Sequence, residues 1–338
     1  MDLVKILVDA GRAAVGLPAA VYALSAIGLN LQFGYTGLLN FGHVASMLVG
    51  AYGLAITVDV TRDSVTGDPM AGAMWLGILV GLLLAVLLGL LMGAPTLRLR
   101  ADYLAIVTIA VGEILRLVVR SRWAAPVTNG LSGLQGFADR FYELNPIPIG
   151  QYGIGTFRFD ERLLWVLIVG WGLVALATLF IRRLTTSPWG RVIRAIREDE
   201  DAARSLGKNV FAYKMQSLMV GSAIGGLAGI VLAIGQQNVG PDNYLPLLTF
   251  YAFTIVILGG PGSLRGPIIG SVIFWFVFSF FDGVMTGAVT AGWFGDLVQA
   301  TDIGPIRFAL FGIGLIWLMT SRPQGIFGKR EELFFDGR

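Results

Sequence analysis

Few side chains in this 338-residue sequence could do chemistry. Cysteine is absent and His43 is the single histidine, so disulfides, thiolate metal sites, cysteine nucleophiles and an H-E-x-x-H metal cluster are all excluded. No G-x-x-x-x-G-K-[ST] phosphate loop occurs; Gly207-Lys208 is followed by Asn209 and lacks the first glycine. The chain therefore has no means of cradling ATP in the P-loop manner. Glu113 is the one convincing carboxylate inside an apolar stretch, with Arg116 and Arg120 following at i+3 and i+7. That spacing predicts an intrahelical ion pair. The other role open to a carboxylate at that depth, which must face protein or water, is to hold a substrate ammonium group. His43, in LLNFGHVAS, reads either as a hydrogen-bonded packing residue or as a substrate contact. Gly260, Gly262 and Gly266 lie in GGPGSLRGP, which is either a tight turn between helices or an interrupted segment that exposes backbone at a gate. Gln236, Gln237, Asn238 and Asp242 crowd the end of another apolar run, as an entrance or simply as an exposed loop.

The densest polar chemistry lies between Thr186 and Lys208, in TSPWGRVIRAIREDEDAARSLGK. Ser187 followed by Pro188 predicts a helix start, serine as N-cap and proline at the first helical position. Trp189, Val192, Ile193 and Ile196 then fall on one apolar stripe, while Arg191, Arg194 and Arg197 point elsewhere. Four adjacent acids, Glu198 to Asp201, precede a second apolar set of Ala202, Ala203 and Leu206, and Gly207 supplies a stop. The pattern predicts two short helices with a bend near Glu200. An amphipathic helix lying on headgroups is one reading, but the acidic knot would be repelled by an anionic leaflet. A groove on another protein suits the mixed charges better.

These residues must be positioned by membrane helices. Hydrophobic residues make up 55% of the chain and charged residues 14%, against about 25% charged in soluble domains, and mean hydropathy is +0.72. Runs such as 75–93 and 163–181 are long enough to cross roughly 30 Å of hydrocarbon as helices. They are apolar all round, which excludes the alternating strands of a membrane barrel. The expected fold is all-α, one polytopic bundle over 1–338 with about nine to ten spans, placed at 14–33, 38–58, 72–94, 103–120, 162–182, 211–234, 246–260, 267–286 and 305–321. The second of these is either a full crossing or re-entrant. The opening MDLVKILVDAG has the look of a signal peptide but no convincing cleavage site, and reads as retained.

Net charge is +3, from 25 basic and 22 acidic side chains, and the placement of the basic ones sets orientation. Arg98 and Arg100, the loop 182–214, and the tail carrying Arg322, Lys329, Arg330 and Arg338 are the basic connections. The positive-inside rule assigns all three to the cytoplasm, and the span count then puts the N terminus outside. Small-residue stripes, Gly77-Gly81-Ala85-Gly89-Gly93 and Gly221-Gly225-Gly229-Ala233, predict close helix packing, inside the subunit or at a seam with a second membrane subunit.

SPWGRVIRAIREDEDAARSLGKN closely resembles the cytoplasmic coupling segment of ATP-binding-cassette importer permeases of the branched-chain amino-acid family. NLQFGYTGLLNFGHVASMLVGAY (30–52), LRLRADYLAIVTIAVGEILRLVV (97–119), TNGLSGLQG (128–136) and VILGGPGSLRGPIIG (256–270) agree with that family, the second and third with its LivM-type membrane subunit. The resemblance is spread over most of the chain. It implies a type II importer-like permease of the inner (plasma) membrane that is not itself an enzyme. It further implies a sister permease, two cytoplasmic ABC ATPases that bind the ATP and Mg, an external substrate-binding protein, and a lipid bilayer rather than nucleic acid as surroundings. By motif position, Ser187, Pro188, Trp189, Gly190, Arg191, Arg194, Arg197 and Glu198 would meet the ATPase. Relatives of the same family carry urea, short amides or aromatic acids, and a self-sufficient ion-coupled transporter is the competing class.

Overall fold

The computed structural model describes residues 3–62, 70, 72–97, 101–154, 157–291, 303–321 and 325–326. Apolar backbone removed from water must satisfy its own N–H and C=O groups, and the described chain is accordingly mostly helical. The first half contains α1 (Leu3–Val15), α2 (Leu17–Asn30) running into a π-helical turn (Leu31–Tyr35), α3 (His43–Val60), α4 (Ala73–Thr96) and α5 (Ala101–Arg120). A small lobe follows: α6 (Ala125–Thr128), β1 (Leu134–Gln135), α7 (Asp139–Glu143), β2 (Gln151–Ile154) and β3 (Phe157–Asp160). The second half holds α8 (Glu161–Thr186), α9 (Pro188–Glu198), α10 (Glu200–Ser205), α11 (Val210–Gln236), β4 (Asn238–Val239), a 3-10 turn (Pro241–Tyr244), α12 (Leu247–Gly259), α13 (Gly266–Thr290) and α14 (Ile303–Ser321).

Among the described residues, seven helical stretches are long and apolar enough to cross a membrane: Leu3–Tyr35, His43–Val60, Ala73–Thr96, Glu161–Thr186, Val210–Gln236, Pro241–Gly259 and Gly266–Thr290. Helices α5 and α14 lie where the two remaining expected spans fall. The first span differs from 14–33, because α1 is a separate helix that packs on α13, with Ile6 against Gly283. The expected 246–260 becomes a 13-residue α12 reached through the 3-10 turn. The second span is a helix from His43, preceded by an irregular segment whose Thr36, Leu38 and Asn40 are buried inside the protein. Non-helical backbone at membrane depth is tolerated when protein surrounds it in this way. Two antiparallel ribbons, β1 with β4 and β2 with β3, were not expected from an all-α reading. Arg98, Arg100, Arg322, Lys329, Arg330 and Arg338 lie outside the described residues.

The core is built around α2, which is buried along nearly its whole length and meets α8, α11, α12 and α13. Helix α3 packs between α4 and α11. Both small-residue stripes are used inside the subunit: Gly81 meets the Gly50 carbonyl and Gly53, and Gly229 sits on the Met47 backbone. The outward face of α4, with Trp75, Leu79, Leu83, Leu87 and Leu91, stays exposed and apolar. The molecule has two polar ends. One gathers the irregular 36–42 segment, α9, α10 and the 260–266 turn; the other gathers the ribbons, α6, α7 and the 3-10 turn.

Candidate functional site

The charged segment forms two helices broken at Asp199, one residue from the expected bend. Asp199 Oδ1 accepts from the amide nitrogens of Asp201 and Ala202, each at 2.9 Å, so one acid of the knot is an N-cap. Glu200 pairs with Lys214, and also with Arg204 at 3.0 Å. Asp201 meets Arg204 at 2.9 Å. Much of the acidic knot is thus consumed locally. Gly207 takes the left-handed conformation, φ 74°, expected of a helix stop.

Pro188 opens α9 as expected, but Ser187 caps nothing: its extended backbone is right for an N-cap, while its hydroxyl donates to the Leu184 carbonyl at 2.7 Å. Gly190 is required by the α8–α9 corner, because a Cβ there would strike the backbone of Thr185.

The apolar stripe of α9 is turned into the chain's own bundle. Ile193 is fully buried, Ile196 packs with Ala203 and Val210, and Trp189 Nε1 donates to Gln216 Oε1 at 2.7 Å. Two arginines expected to face a partner also reach inward. Arg194 Nη2 donates to the Thr185 carbonyl at 2.5 Å with its guanidinium over the Tyr35 ring, and Arg197 Nη1 donates to the Gly34 carbonyl at 2.5 Å. The inward turn has a simple cause: the π-turn and the end of α8 present main-chain oxygens there, within reach of a long cationic side chain. The outer surface carries Pro188, Arg191, Ala195, Glu198, Ala202 and Leu206, the last 78% exposed, and Arg194 and Arg197 also stay exposed along part of their length. A cleft of about 810 Å³ opens beside this segment, with Gly37, Leu38, Leu104, Arg197, Lys208 and Lys214 among its walls.

Beneath α9 lies a set of buried amides that sequence reasoning missed. Asn30 donates from Nδ2 to the Ser263 carbonyl and accepts at Oδ1 from the Gly262 amide, each at 2.9 Å. Gln32 donates to the Leu218 carbonyl at 3.0 Å and accepts from Asn40 Nδ2 at 3.0 Å. The available signal was that amides inside an apolar run must find partners when buried. Gly260 (φ 101°) and Gly262 (φ 76°) form a tight turn joining α12 to α13. Ser263 Oγ donates to the Gly260 carbonyl at 2.8 Å and accepts from the Gly266 amide at 3.0 Å. The turn is closed by these bonds.

Glu113 and Arg116 form the expected pair, at 2.6 Å. Sequence spacing missed the third member: Arg116 also meets Asp242 at 3.2 Å, and Arg120 meets the same carboxylate at 3.6 Å. This cluster stands at the opposite end of the bundle from α9 and ties α5 to the 3-10 turn. His43 is 0% exposed and packed against Gly225, and its ring nitrogens have no hydrogen-bond partner among the described residues, as is also true of the Ser46 and Ser222 hydroxyls. The packing role expected of His43 is present. The structure does not bring His43, Glu113 and the 260–266 glycines into one site.

A family model described as branched-chain amino acid transport system / permease component matches residues 14–319. A probable branched-chain amino acid transport permease protein LivM of Methanocaldococcus jannaschii is 30% identical over 92% of this chain and 91% of its own length. The high-affinity branched-chain amino acid transport system permease protein LivM of Escherichia coli is 30% identical over 79% of the chain, which spans 63% of that relative's length. The LivH permease of the same organism is 27% identical over 92% of each. No solved structure matches.

Proposed function

The chain belongs to the branched-chain amino acid transport permease family, whose members are multi-pass permeases of the cytoplasmic membrane and not themselves enzymes, and on that premise we propose that it forms half of a paired membrane path for branched-chain amino acids. Separate cytoplasmic ATPases bind ATP and Mg, dock on the outer surface of α9 and α10, and drive alternating access. An external binding protein delivers the substrate.

The observation that carries this reading is the two-sidedness of α9. Ile193 and Ile196 bury one side in the bundle and Arg194 and Arg197 donate into it, while Arg191, Ala195 and Glu198, like the two donating arginines, keep exposed surface. A helix held this way passes a push into the bundle instead of swinging free. Ser187, Trp189, Gly190, Arg194 and Arg197 also make contacts within the chain, and in this reading Pro188, Arg191, Arg194, Arg197 and Glu198 offer the exposed surface that meets the ATPase. The competing ion-coupled class draws little support, because Glu113, the one convincing carboxylate in an apolar stretch, is engaged by Arg116.

Reconstitution of the chain with a sister permease, ATPases and leucine-loaded binding protein tests the proposal. Leucine uptake that requires ATP hydrolysis is expected. Uptake by this chain alone that follows a proton or sodium gradient would overturn it.

A further inference from the structure

Three separated stretches meet under α9. The Gly34 carbonyl, which accepts from Arg197, belongs to the π-turn at the end of α2. One helical turn back, Asn30 holds both sides of the turn between α12 and α13, through the Gly262 amide and the Ser263 carbonyl. Gly34 itself has room for no side chain: a Cβ would collide with Asn30 Oδ1 and the Gly262 amide. The joint is therefore filled solidly from α9 to the head of α13, where Ser263 Oγ receives the Gly266 amide. π-Turns are rare and are frequent at functional positions.

Resting on the permease reading above, we infer that Arg197 and Asn30 are positioning residues that carry displacement of α9 through the π-turn to the α12–α13 hairpin, so that ATPase movement becomes reorientation of the spans. Arg197 grips a main-chain oxygen, so it moves the backbone of α2 and not merely a side chain. Asn30 makes two bonds in opposite senses to adjacent residues, which fixes the hairpin turn in direction as well as distance. Close packing transmits such shifts, because a filled interior does not absorb them.

The test uses the complete complex in proteoliposomes and reads leucine imported per ATP hydrolysed. R197A and N30D should each lower that ratio by about 2- to 30-fold, the range that single changes along a coupling route produce. The ATPases should still co-purify with the permease, and R197K should keep most of the coupling. The double variant should be no worse than the weaker single variant, since both interrupt one route. An unchanged ratio in R197A, loss of ATPase co-purification in R197A, or losses that multiply in the double variant would each overturn the inference. A wild-type complex with no ATP-dependent leucine uptake would instead overturn the permease reading.

Where N30D fails to accumulate, the absence of cysteine from the chain allows a second measurement. A Cβ at position 37 would lie 3.9 Å from Arg197 Cβ, within disulfide range. In the G37C/R197C variant the reduced form lacks the Arg197 bond and should be uncoupled, and oxidation should restore coupling. Both forms share any strain at position 37, so their difference isolates the link. A formed disulfide that leaves the ratio low would contradict the inference.

Discussion

Helix α9 and the α5 cluster are two charged regions of a largely apolar molecule, and two arginines of α9 are satisfied differently from Arg116 of α5. On α5, Arg116 is met by two carboxylates, Glu113 and Asp242. On α9, Arg194 and Arg197 donate to main-chain oxygens of Thr185 and Gly34. A carboxylate can swivel, be replaced or be screened, so an ion pair fixes where two elements meet without fixing the backbone. A carbonyl moves only with its helix. The α5 cluster behaves as a clasp on the 3-10 turn, whereas the α9 arginines behave as a rigid mount.

The mount breaks most completely where two backbones touch. Gly190→Val should drive side-chain carbons into Thr185 and destabilise the protein by about 3 kcal/mol, which a fall in the thermal midpoint of detergent-solubilised protein would reveal. The clasp should fail more mildly. Arg116 is 9% exposed, but Glu113 and Asp242 are 36% and 63% exposed, so water can take over much of their charge. Arg116→Met should cost about 2 kcal/mol by the same assay, less than a fully buried pair. Adding Asp242→Asn to that variant should cost little more, because the bond to Arg116 is already lost and the remaining contact, with exposed Arg120 at 3.6 Å, is screened by water.

Capping separates one acid and one hydroxyl of the segment, Asp199 and Ser187, by smaller amounts. Asp199→Ala removes the bonds to the Asp201 and Ala202 amides and should cost about 1 kcal/mol, seen as faster hydrogen exchange at those two amides. Ser187→Ala should shift the thermal midpoint by no more than about 0.5 kcal/mol allows, since its hydroxyl meets the Leu184 carbonyl and caps no amide. A large loss in Ser187→Ala would show that the hydroxyl caps α9 after all.

Local patterns carried much of this from sequence. The stripe of Val192, Ile193 and Ile196, the break among the four acids, the stop at Gly207 and the Glu113–Arg116 pair all rest on spacings of three or four residues, which a helix fixes by its own geometry. The stripe showed that α9 has an inner face, and periodicity had no way to show that the chain's own bundle covers it. Arg197 and Gly34 stand 163 residues apart, Arg116 and Asp242 126, and Asn30 and Ser263 233. Such partners are set by how helices stack. The arginines were legible as charges outside the stripe, while their destination, a backbone carbonyl exposed by a π-turn, depends on a helical irregularity with no sequence signature. The ribbons at the far end are equally short-lived patterns: β1 and β4 are two residues each and exist because they pair with one another.

The central claim is that the outer surface of α9 and α10 receives force from a cytoplasmic ATPase. Single cysteines introduced at Arg191 and Glu198 into this cysteine-free chain, carrying a short photo-crosslinker, test it most directly in the assembled transporter. The account predicts that both positions cross-link to the ATPase and are closed to membrane-impermeant thiol reagents added from outside. Labelling from outside, or a transporting complex in which neither position reaches the ATPase, would contradict it.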